Sequence, residues 1–472
     1  MLPSGPVGEL AGAVTARRVS AVDAVTEALA RVARLDGTLN AVVALRADEA
    51  LAEAEALDRA LDAGAPTGRL AGVPVLVKDL EDLRGMPTRK GSLLLADAPP
   101  AAADGLVPAR LRAEGAIPIG KTALPEFAIE GHTANLLTGV TRNPWSPRHS
   151  PGGSSGGSAV AVASGMVPVA TATDGGGSIR IPASFCGLVG IKPTRGLVGR
   201  SPVPDWIDLS TDGPFATTVA DLRLLLDVEA GAVPGDPEAA PGTGIRGGTV
   251  AAPVPSVVHL AHRTSDLGPL PDDVAAHFDR VARDVVGLLA TRFDVITPGT
   301  LFQDGDPDLD WFTLAAAEHV SSLGRAWVEA GLDRMHPSSQ EFLGYGLSVG
   351  VDAYLAARRR RFGYTAVVDR LLGEDGVLVT PTVAVAHVEA DGRLTPEDEV
   401  AWLPARAYST ALQNITGHPA VTLPAGLLDG VPFGLQVTGP RYSDAWLLDI
   451  AARWEEAFPW PRVAPGYTEF RL

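Results

Sequence analysis

Two turns rich in glycine and serine lie close together in the middle of the chain. The first reads Pro151-Gly-Gly-Ser-Ser-Gly-Gly-Ser158, and the second reads Asp174-Gly-Gly-Gly-Ser178. Glycine runs allow the backbone to approach a ligand closely, and consecutive free N–H groups can hold an anion. Such a site serves either a phosphate or the oxyanion that forms beside a serine nucleophile. Neither turn is followed by the lysine of a phosphate-binding loop, so the pattern favours the second chemistry, with Ser178 as the nucleophile.

A serine nucleophile needs a group that accepts its proton. His132 and His149 are the nearest histidines in the sequence, and neither has an orienting carboxylate at a recognisable spacing. A lysine that stays neutral is the other base used with serine. Lys78 ends the apolar run Gly72–Lys78, and burial lowers the pKa of a lysine. From its position alone, Lys78 fits an ordinary lysine at a strand end, reaching water, better than it fits a base.

The segments around these turns predict an α/β fold in which strands and helices alternate. Amphipathic spacing predicts helices after Ser20 and over Ala47–Leu61, Pro271–Leu289 and Asp444–Glu456. Short apolar runs predict strands at Gly72–Lys78, Ile117–Gly120, Gly376–Thr380, Ala420–Pro424 and Phe433–Val437. A compact helix–strand pair, Ala159–Ser164 and Val167–Thr173, joins the two glycine turns. Flexible linkers do not normally lead into such a pair, so the turns belong to the folded core.

Composition limits the classes of protein that fit. The chain has 472 residues with 56 acidic and 39 basic side chains, and its net charge of −17 argues against a nucleic-acid or anionic membrane partner. The single cysteine, Cys186, excludes a disulfide framework and a cysteine-based metal centre within one chain. No apolar run reaches the length of about 18 residues that spans a membrane, and the first residues lack the pattern of a secretory signal. We therefore expect a cytoplasmic protein.

The long run Gly152–Thr194 resembles the signature of the amidase signature family. Gly72–Asp79 is similar to the lysine strand of that family, and Thr141–Trp145 and Asn414–Pro424 resemble further blocks of it. The resemblance spans most of the chain, from Ser20 to Glu456. A match of this length and density has a lower false-positive risk than an isolated glycine motif.

The resemblance implies a single α/β/α domain over residues 1–472, with a large mixed, mostly parallel β-sheet covered by helices. The signature core would lie at residues 72–221. Gly231–Gly248, where glycine and proline cluster again, is interpreted as a surface connection.

In the amidase signature family, a Ser–cis-Ser–Lys triad hydrolyses amides through a serine acyl-enzyme, without a metal or organic cofactor. The resemblance places the lysine of this triad at Lys78, the bridging serine at Ser154 and the nucleophile at Ser178. It also implies a cis peptide bond at Ser154. Ser155 resembles the neighbouring serine that supports the network by hydrogen bonding.

The second glycine turn would then hold the oxyanion. The resemblance assigns the oxyanion hole to four backbone N–H groups, those of Gly175, Gly176, Gly177 and Ser178. Asp174 and Arg180 flank this turn as oppositely charged neighbours. We expect them to form a supporting ion pair that fixes the turn and takes no direct part in catalysis.

Within the family, the signature is most similar to that of bacterial stand-alone amidases such as 6-aminohexanoate cyclic dimer hydrolases. We therefore expect small linear or cyclic amides as substrates, and a homodimer as the default assembly. One alternative is the glutamine-hydrolysing catalytic subunit of a tRNA-dependent amidotransferase, which usually has threonine at the position of Gly175 and needs partner subunits. Another is an inactive relative used for binding, against which the intact Lys78, Ser154 and Ser178 argue.

Some segments depart from the family pattern or have an ambiguous role. Arg89-Lys90 and Thr217 differ from the usual residues, and the stretch Arg200–Asp212 matches the pattern of no particular substrate class, which leaves the substrate open. Trp206 lies in that stretch, where an aromatic side chain is interpreted as packing rather than as part of an acyl pocket. Arg358–Arg361 is interpreted as the solvated end of a helix rather than as a binding site for a substrate carboxylate.

Overall fold

The computed structural model describes residues 5–240, 254–265, 268–289, 292–297, 299–394 and 408–472. The helices within these ranges are α1 (Pro6–Thr15), α2 (Ala21–Leu39), α3 (Ala47–Asp62), α4 (Leu106–Ala113), α5 (Gly156–Ala163), α6 (Arg180–Cys186), α7 (Val219–Glu229), α8 (Asp272–Leu289), α9 (Pro307–Leu323), α10 (Arg325–Gly331), α11 (Pro337–Ser348), α12 (Val351–Leu372), α13 (Ala411–Thr416) and α14 (Asp444–Ala457). The strands are β1 (Val42–Leu45), β2 (Pro74–Lys78), β3 (Ile117–Thr122), β4 (Ala134–Asn135), β5 (Gly139–Val140), β6 (Val169–Ala170), β7 (Thr173–Asp174), β8 (Val189–Lys192), β9 (Thr211–Asp212), β10 (Phe215–Ala216), β11 (Val257–Leu260), β12 (Phe293–Val295), β13 (Gly376–Pro381), β14 (Ala420–Leu428) and β15 (Val431–Thr438).

Two sheets carry most of these strands, and the predicted mixed α/β class is confirmed. A four-stranded sheet has the order β1-β3-β2-β6, and a seven-stranded sheet has the order β10-β8-β14-β15-β13-β11-β12. In the larger sheet, only the β13–β11 and β11–β12 pairs are parallel, so the expected majority of parallel strands is not found there. One reason is local: only Asp429 and Gly430 separate β14 from β15, and so short a connection can join only antiparallel neighbours.

The buried centre of the smaller sheet explains the unbroken apolar sequence of β2. This strand lies between β3 and β6 and is parallel to both, so its side chains are covered on both faces. The predicted strand Val167–Thr173 is divided into β6, which pairs with β2, and β7, which pairs with β9. The division, at Thr171 and Ala172, takes the chain out of the four-stranded sheet shortly before Asp174.

Helix ends follow the predicted local chemistry. At the start of α2, the Ser20 hydroxyl accepts a hydrogen bond from the Asp23 N–H at 2.9 Å, and the Asp23 carboxylate accepts one from the Ser20 N–H at 3.3 Å. The predicted capping box is thus confirmed. Helix α5 is instead buried along its whole length, which its small side chains allow.

One continuous core of buried apolar side chains joins the two sheets. It includes Val75 of β2, Val421 of β14 and Val437 of β15, and it extends from Val7 in α1 to Phe470 near the end of the chain. Of the predicted surface connection Gly231–Gly248, residues 241–248 lie outside the described residues.

Candidate active site

The side chain of Lys78 lies at the end of β2, fully buried and surrounded by hydroxyl groups. Its backbone N–H donates to the Thr171 hydroxyl at 2.9 Å, which fixes the strand end. The Lys78 Nζ atom lies within hydrogen-bond distance of three hydroxyl oxygens: Ser154 Oγ at 2.8 Å, Ser155 Oγ at 2.9 Å and Thr173 Oγ1 at 2.8 Å. The sequence position of Lys78 was typical of a solvent-exposed lysine, but in the structure its side chain has no exposure to water.

Burial also changes the acidity of this lysine. Removal from water lowers the pKa of Lys78 to about 7, although the negative charges of Glu81, Asp174 and Asp212 act in the opposite direction. Near neutral pH, a large share of the Lys78 side chains is therefore uncharged and able to accept a proton. This property is what a general base beside a serine requires.

The two serines expected to act with Lys78 are brought to the same place. The Gly153–Ser154 peptide bond is cis, as the resemblance implied. The Ser155 N–H donates to the Ser178 carbonyl oxygen at 3.3 Å, which links the two glycine turns directly. Ser154 and Ser178 both line one cavity, so the structure brings together the lysine and the serines predicted from the sequence.

The second glycine turn is packed between aromatic side chains. A Cβ atom on Gly175 would overlap the ring of Trp206, and one on Gly176 would overlap the ring of Trp311. The Trp311 indole N–H donates to the Gly175 carbonyl at 2.7 Å, and the Thr410 hydroxyl donates to the Gly176 carbonyl at 2.6 Å. Because a trans peptide bond points its N–H away from its C=O, these two hydrogen bonds fix the directions of the Gly176 and Gly177 N–H groups.

One of the four predicted oxyanion donors already has a partner. The Gly177 N–H donates to Asp174 Oδ1 at 2.7 Å, so its assignment to the oxyanion hole does not fit this structure. The reason is the reach of the aspartate, whose carboxylate turns back over the three following residues. Gly175, Gly176 and Ser178 remain as candidate donors.

The expected ion pair between Asp174 and Arg180 is present and fully buried. The Arg180 guanidinium donates from Nε and Nη2 to the two carboxylate oxygens, both at 2.9 Å. Burial raises the pKa of Asp174, but the charge of Arg180 and the hydrogen bonds from Arg180 and Asn414 lower it to about 2 overall. Asp174 is therefore an anion near neutral pH, at the start of the second glycine turn.

Three amide side chains that complete this pair were not predicted. Arg180 donates to Gln413 Oε1 at 3.0 Å, to Gln436 Oε1 at 2.7 Å and to Asn414 Oδ1 at 2.6 Å. Asn414 also donates to Asp174 Oδ1 at 2.9 Å. Asn414 opens a block that resembled the family, but nothing in the sequence related it to Asp174, which lies 240 positions away.

Two cavities meet at Ser178. The larger has a volume of about 540 Å³ and is lined by Ser154, Thr173 and Ser178 at one side. The smaller has a volume of about 80 Å³ and is also lined by Ser178. Trp206 lines both cavities and stands between them, so this side chain shapes the site in addition to packing.

Comparison with known proteins decides the family. The sequence model of the amidase family matches residues 23–448. The chain belongs to the amidase family. It is 36% identical over 450 residues to the putative amidase AmiB2 of Mycobacterium tuberculosis, with 93% of each chain covered. It is 32% identical over 516 residues to a glutamyl-tRNA(Gln) amidotransferase subunit of Chromohalobacter salexigens, with 97% of this chain and 98% of that protein covered.

Solved structures of amidase signature enzymes are similar over nearly the whole chain. A bacterial aryl acylamidase of this family superposes with a TM-score of 0.87 at 28% identity, covering 97% of this chain and 96% of that one. A 6-aminohexanoate cyclic dimer hydrolase superposes with a TM-score of 0.84 at 29% identity, covering 98% of both. The predicted membership of the amidase signature family is confirmed, and the protein is an amide hydrolase that acts on carbon–nitrogen bonds.

In this amidase, the arginine run Arg358–Arg361 has a different role from the expected one. It lies inside α12, and Arg358 and Arg361 both pair with the Asp208 carboxylate, Arg361 at 3.0 Å. Arg361 also donates to the Ile415 carbonyl oxygen at 2.6 Å. The prediction of a solvated helix end was wrong because these cations face the segment that carries Trp206 and fix it against the helix.

The rings of the histidines that were weighed as bases contact the rings of other histidines in the amidase. The ring of His132 lies 6.3 Å from that of His336, and the ring of His149 stacks on that of His387 at 4.2 Å. Within the described ranges, no three histidine, cysteine or acidic side chains are grouped as a metal site requires. In the same part of the chain, no helix combines the length and apolar character needed to cross a membrane.

Proposed function

We propose that this amidase hydrolyses small linear or cyclic amides through a serine acyl-enzyme, with Ser178 as nucleophile, Ser154 as bridging serine and Lys78 as base. The observation that carries the proposal is the 2.8 Å distance between Lys78 Nζ and Ser154 Oγ at a fully buried site. A lysine held there, with a pKa lowered to about 7, can take and return a proton near neutral pH.

The proposed reaction moves one proton along a short path. Neutral Lys78 accepts a proton from Ser154, which accepts the proton of Ser178 as Ser178 Oγ attacks the amide carbonyl carbon. When the tetrahedral intermediate collapses, the carbon–nitrogen bond breaks and the proton returns through Ser154 to the leaving nitrogen. Water then attacks the ester of Ser178 by the same path and releases the carboxylic acid.

The surrounding groups have supporting roles in this proposal. The N–H groups of Gly175, Gly176 and Ser178 would stabilise the oxyanion, because preformed donors cost no reorganisation during the reaction. The hydroxyls of Ser155 and Thr173 hold Lys78 Nζ beside Ser154. The sequence alone did not point to Thr173, although it directly precedes Asp174 and the nucleophile turn.

Relatives support the substrate class. The names of two similar structures, an aryl acylamidase and a 6-aminohexanoate cyclic dimer hydrolase, describe amides of low molecular mass. The large cavity, at about 540 Å³, lies within the range of about 300–1,000 Å³ that is usual for small-molecule sites.

The alternative function is the glutamine-hydrolysing subunit of a tRNA-dependent amidotransferase, for which the similarity to the Chromohalobacter salexigens protein speaks. That subunit usually has threonine where this chain has Gly175. A Cβ atom at this position would overlap the ring of Trp206, so the nucleophile turn is built for glycine and the stand-alone amidase is favoured. Glutaminase activity that appears only when a second chain copurifies would favour the alternative.

Replacement of the nucleophile tests the proposal. Ser178→Ala should abolish acyl-enzyme formation and lower amide hydrolysis by at least about a thousandfold, because the attacking oxygen is removed. The protein reacts with an anilide substrate, the reaction is rapidly quenched, and the intact mass of the protein is measured. The rate of anilide hydrolysis is measured as well.

The matched control is Ser158→Ala, in the first glycine turn. The Ser158 hydroxyl bonds to the Thr122 hydroxyl at 2.7 Å and lines neither cavity at Ser178. This variant should form the acyl-enzyme at a normal rate. Near-normal hydrolysis by Ser178→Ala would exclude Ser178 as the nucleophile.

A further inference from the structure

The two cavities at Ser178 differ in size and in lining, and this difference bears on which half of a substrate each receives. The small cavity is mostly apolar and aromatic, with walls that include Ile129, Ile181, Trp311, Phe312 and Phe342. The large cavity has both aromatic and polar walls, among them Phe127, Trp327, His319, Lys90 and Asp205.

The proton path decides the orientation of the substrate. In the proposed mechanism, the leaving nitrogen receives its proton from Ser154, so the leaving amine must lie on the side of Ser154. Ser154 lines the large cavity, whereas Ser178 lines both. We propose that the acyl group of the substrate occupies the small aromatic cavity and that the leaving amine occupies the large one. This inference rests on the proposed function and adds to it which part of the substrate each cavity receives.

The volume of the small cavity limits the acyl group. A cavity of about 150 Å³ lined by apolar side chains holds one benzene molecule. At about 80 Å³, the small cavity has roughly half that volume and fits about three carbon atoms beyond the carbonyl. The small cavity therefore favours acetyl to butanoyl groups over hexanoyl and benzoyl groups.

The charge of the small cavity requires a neutral acyl group. Its lining holds the carboxyls of Glu130 and Asp308 and, among the described residues, no cationic side chain. Burial raises the pKa of Glu130 to about 8, so this carboxyl is mostly uncharged near neutral pH. Burial raises the pKa of Asp308 to about 6, so Asp308 keeps much of its negative charge. An acyl group with its own carboxylate is repelled by that charge.

The large cavity offers hydrogen bonds to the leaving amine. Lys90 and Asp205 line it and form an ion pair at 2.8 Å, and both side chains keep part of their surface exposed. Hydrogen bonds to charged groups are stronger than those between neutral groups, so a polar group on the amine can gain from this pair. An aromatic amine that carries a hydroxyl or amide group fits these walls.

Two series of substrates test the inference in the whole protein. The first varies the acyl group of 4-nitroanilides through acetyl, butanoyl, hexanoyl and benzoyl. The second keeps acetyl and varies the amine through methylamine, aniline, 4-hydroxyaniline and 1-naphthylamine. We expect kcat/KM to fall at least about tenfold from butanoyl to hexanoyl and benzoyl, because each excess methylene clashes with the cavity wall. Enlarging the amine should cause no such fall, and 4-hydroxyaniline should be preferred over aniline.

Variants of matched aromatic residues separate the two cavities. Phe312 is half-buried in the small cavity, and Trp327 is 37% exposed at the large one. Phe312→Ala should raise kcat/KM for hexanoyl relative to acetyl by about tenfold and leave the order of the amines unchanged. Trp327→Ala should change the order of the amines and leave the order of the acyl groups unchanged. Ile129→Ala is a second variant of the small cavity that removes less volume from the core.

The outcomes are distinguishable from those that test the proposed function. Equal rates for acetyl and benzoyl anilides in the unaltered protein would overturn the size limit. If Phe312→Ala changed the order of the amines and Trp327→Ala changed the order of the acyl groups, the proposed orientation of the substrate would be wrong. In both cases the acyl-enzyme at Ser178 still forms. Its absence with every substrate contradicts the proposed function itself.

Discussion

Lys78 is surrounded by three hydroxyl groups, which is the number of hydrogen bonds that its side chain forms. A charged ammonium group donates three hydrogen bonds, and Ser154, Ser155 and Thr173 accept at 2.8–2.9 Å. The neutral amine donates two and accepts one, and the same hydroxyls can satisfy this pattern because a hydroxyl both donates and accepts. The site therefore accommodates both protonation states, as proton transfer in two directions requires.

The pH profile should report this lysine. In the proposed mechanism the active form of Lys78 is the neutral amine, and burial lowers its pKa to about 7, so kcat/KM should increase with pH through the neutral range and level off above it. Asp212→Asn removes a negative charge that raises the pKa of Lys78. The rising limb of the profile should therefore move to lower pH. Initial rates with acetyl 4-nitroanilide at constant ionic strength provide the measurement.

Asp82→Asn is the control for this profile. Asp82 also lines the large cavity, but it is exposed, and water screens the charge of an exposed carboxylate. Its replacement should leave the rising limb in place. If the rising limb moved by the same amount in both variants, or did not move in either, the charge of Asp212 would not be what raises the pKa of Lys78.

The sequence predicted the site residues unequally, for a physical reason. The order of Ser154, Ser178 and the glycines is local, so the resemblance could place them residue by residue. The burial of Lys78 depends on strands β3 and β6, which lie far away in the chain, whereas its own position in the sequence favoured an exposed lysine. Hydrogen-bond direction was also beyond the sequence, as the Gly177 N–H shows by donating to Asp174.

At the scale of elements, the nucleophile turn is held between β7 and α6 by the Asp174 carboxylate. This carboxylate accepts from the Gly177 N–H at 2.7 Å and from the Ile179 N–H at 3.2 Å, so it fixes the turn from within. Arg180 then connects the turn to α13 through Gln413 and to β15 through Gln436. The position of Ser178 thus depends on the charge of one buried aspartate.

Removing that charge should destabilise the protein. Asp174→Asn keeps the shape of the side chain but leaves the Arg180 guanidinium buried without an opposite charge. Breaking a buried ion pair in this way costs about 3–5 kcal/mol of the free energy of unfolding. Urea denaturation should show this loss, and hydrolysis should fall as the turn loosens.

The matched control makes the same substitution at the surface. Asp391 pairs with Arg393 at 2.9 Å, and both side chains are substantially exposed. Asp391→Asn should change the free energy of unfolding by less than about 0.5 kcal/mol. Similar stability losses in the two variants would show that burial of the Asp174–Arg180 pair is not what matters.

Elements were predicted best where their own residues carry the pattern. Helix α8 and strands β13 and β2 were predicted close to their observed bounds because their apolar pattern depends on their own residues. Interactions between distant elements were missed. The arginines of α12 resembled a solvated charge run, since their partner Asp208 lies 153 positions before Arg361. The role of the segment that carries Trp206 was missed for the same reason, because it follows from the contact between Asp208 and the arginines of α12.

At the scale of the whole molecule, residues near the C-terminal end of the chain pack against helix α2. Arg31 of α2 donates from Nη1 to the carbonyl oxygens of Gly165, Thr468 and Glu469, at 2.9–3.1 Å. Its guanidinium also lies 4.9 Å from the centre of the Phe470 ring. These contacts cover the end of α5, the helix that directly follows the first glycine turn. Since one apolar core also joins both sheets, we propose that the chain folds as a single cooperative domain.

Arg31 therefore gives a test of this long-range closure. Arg31→Ala leaves three carbonyl oxygens without their charged donor and should lower the free energy of unfolding by about 3 kcal/mol. Arg59→Ala is the control, because Arg59 pairs with Glu55 at 3.5 Å on an exposed face of α3 and should cost less than about 0.5 kcal/mol. Urea unfolding followed by tryptophan fluorescence and by far-ultraviolet circular dichroism measures both variants. For a single domain the two signals change together, and Arg31→Ala shifts them by the same amount because the whole molecule shares the lost contact. If the two signals gave separate unfolding transitions and Arg31→Ala shifted only one of them, the contacts of Arg31 would stabilise only one part of the molecule.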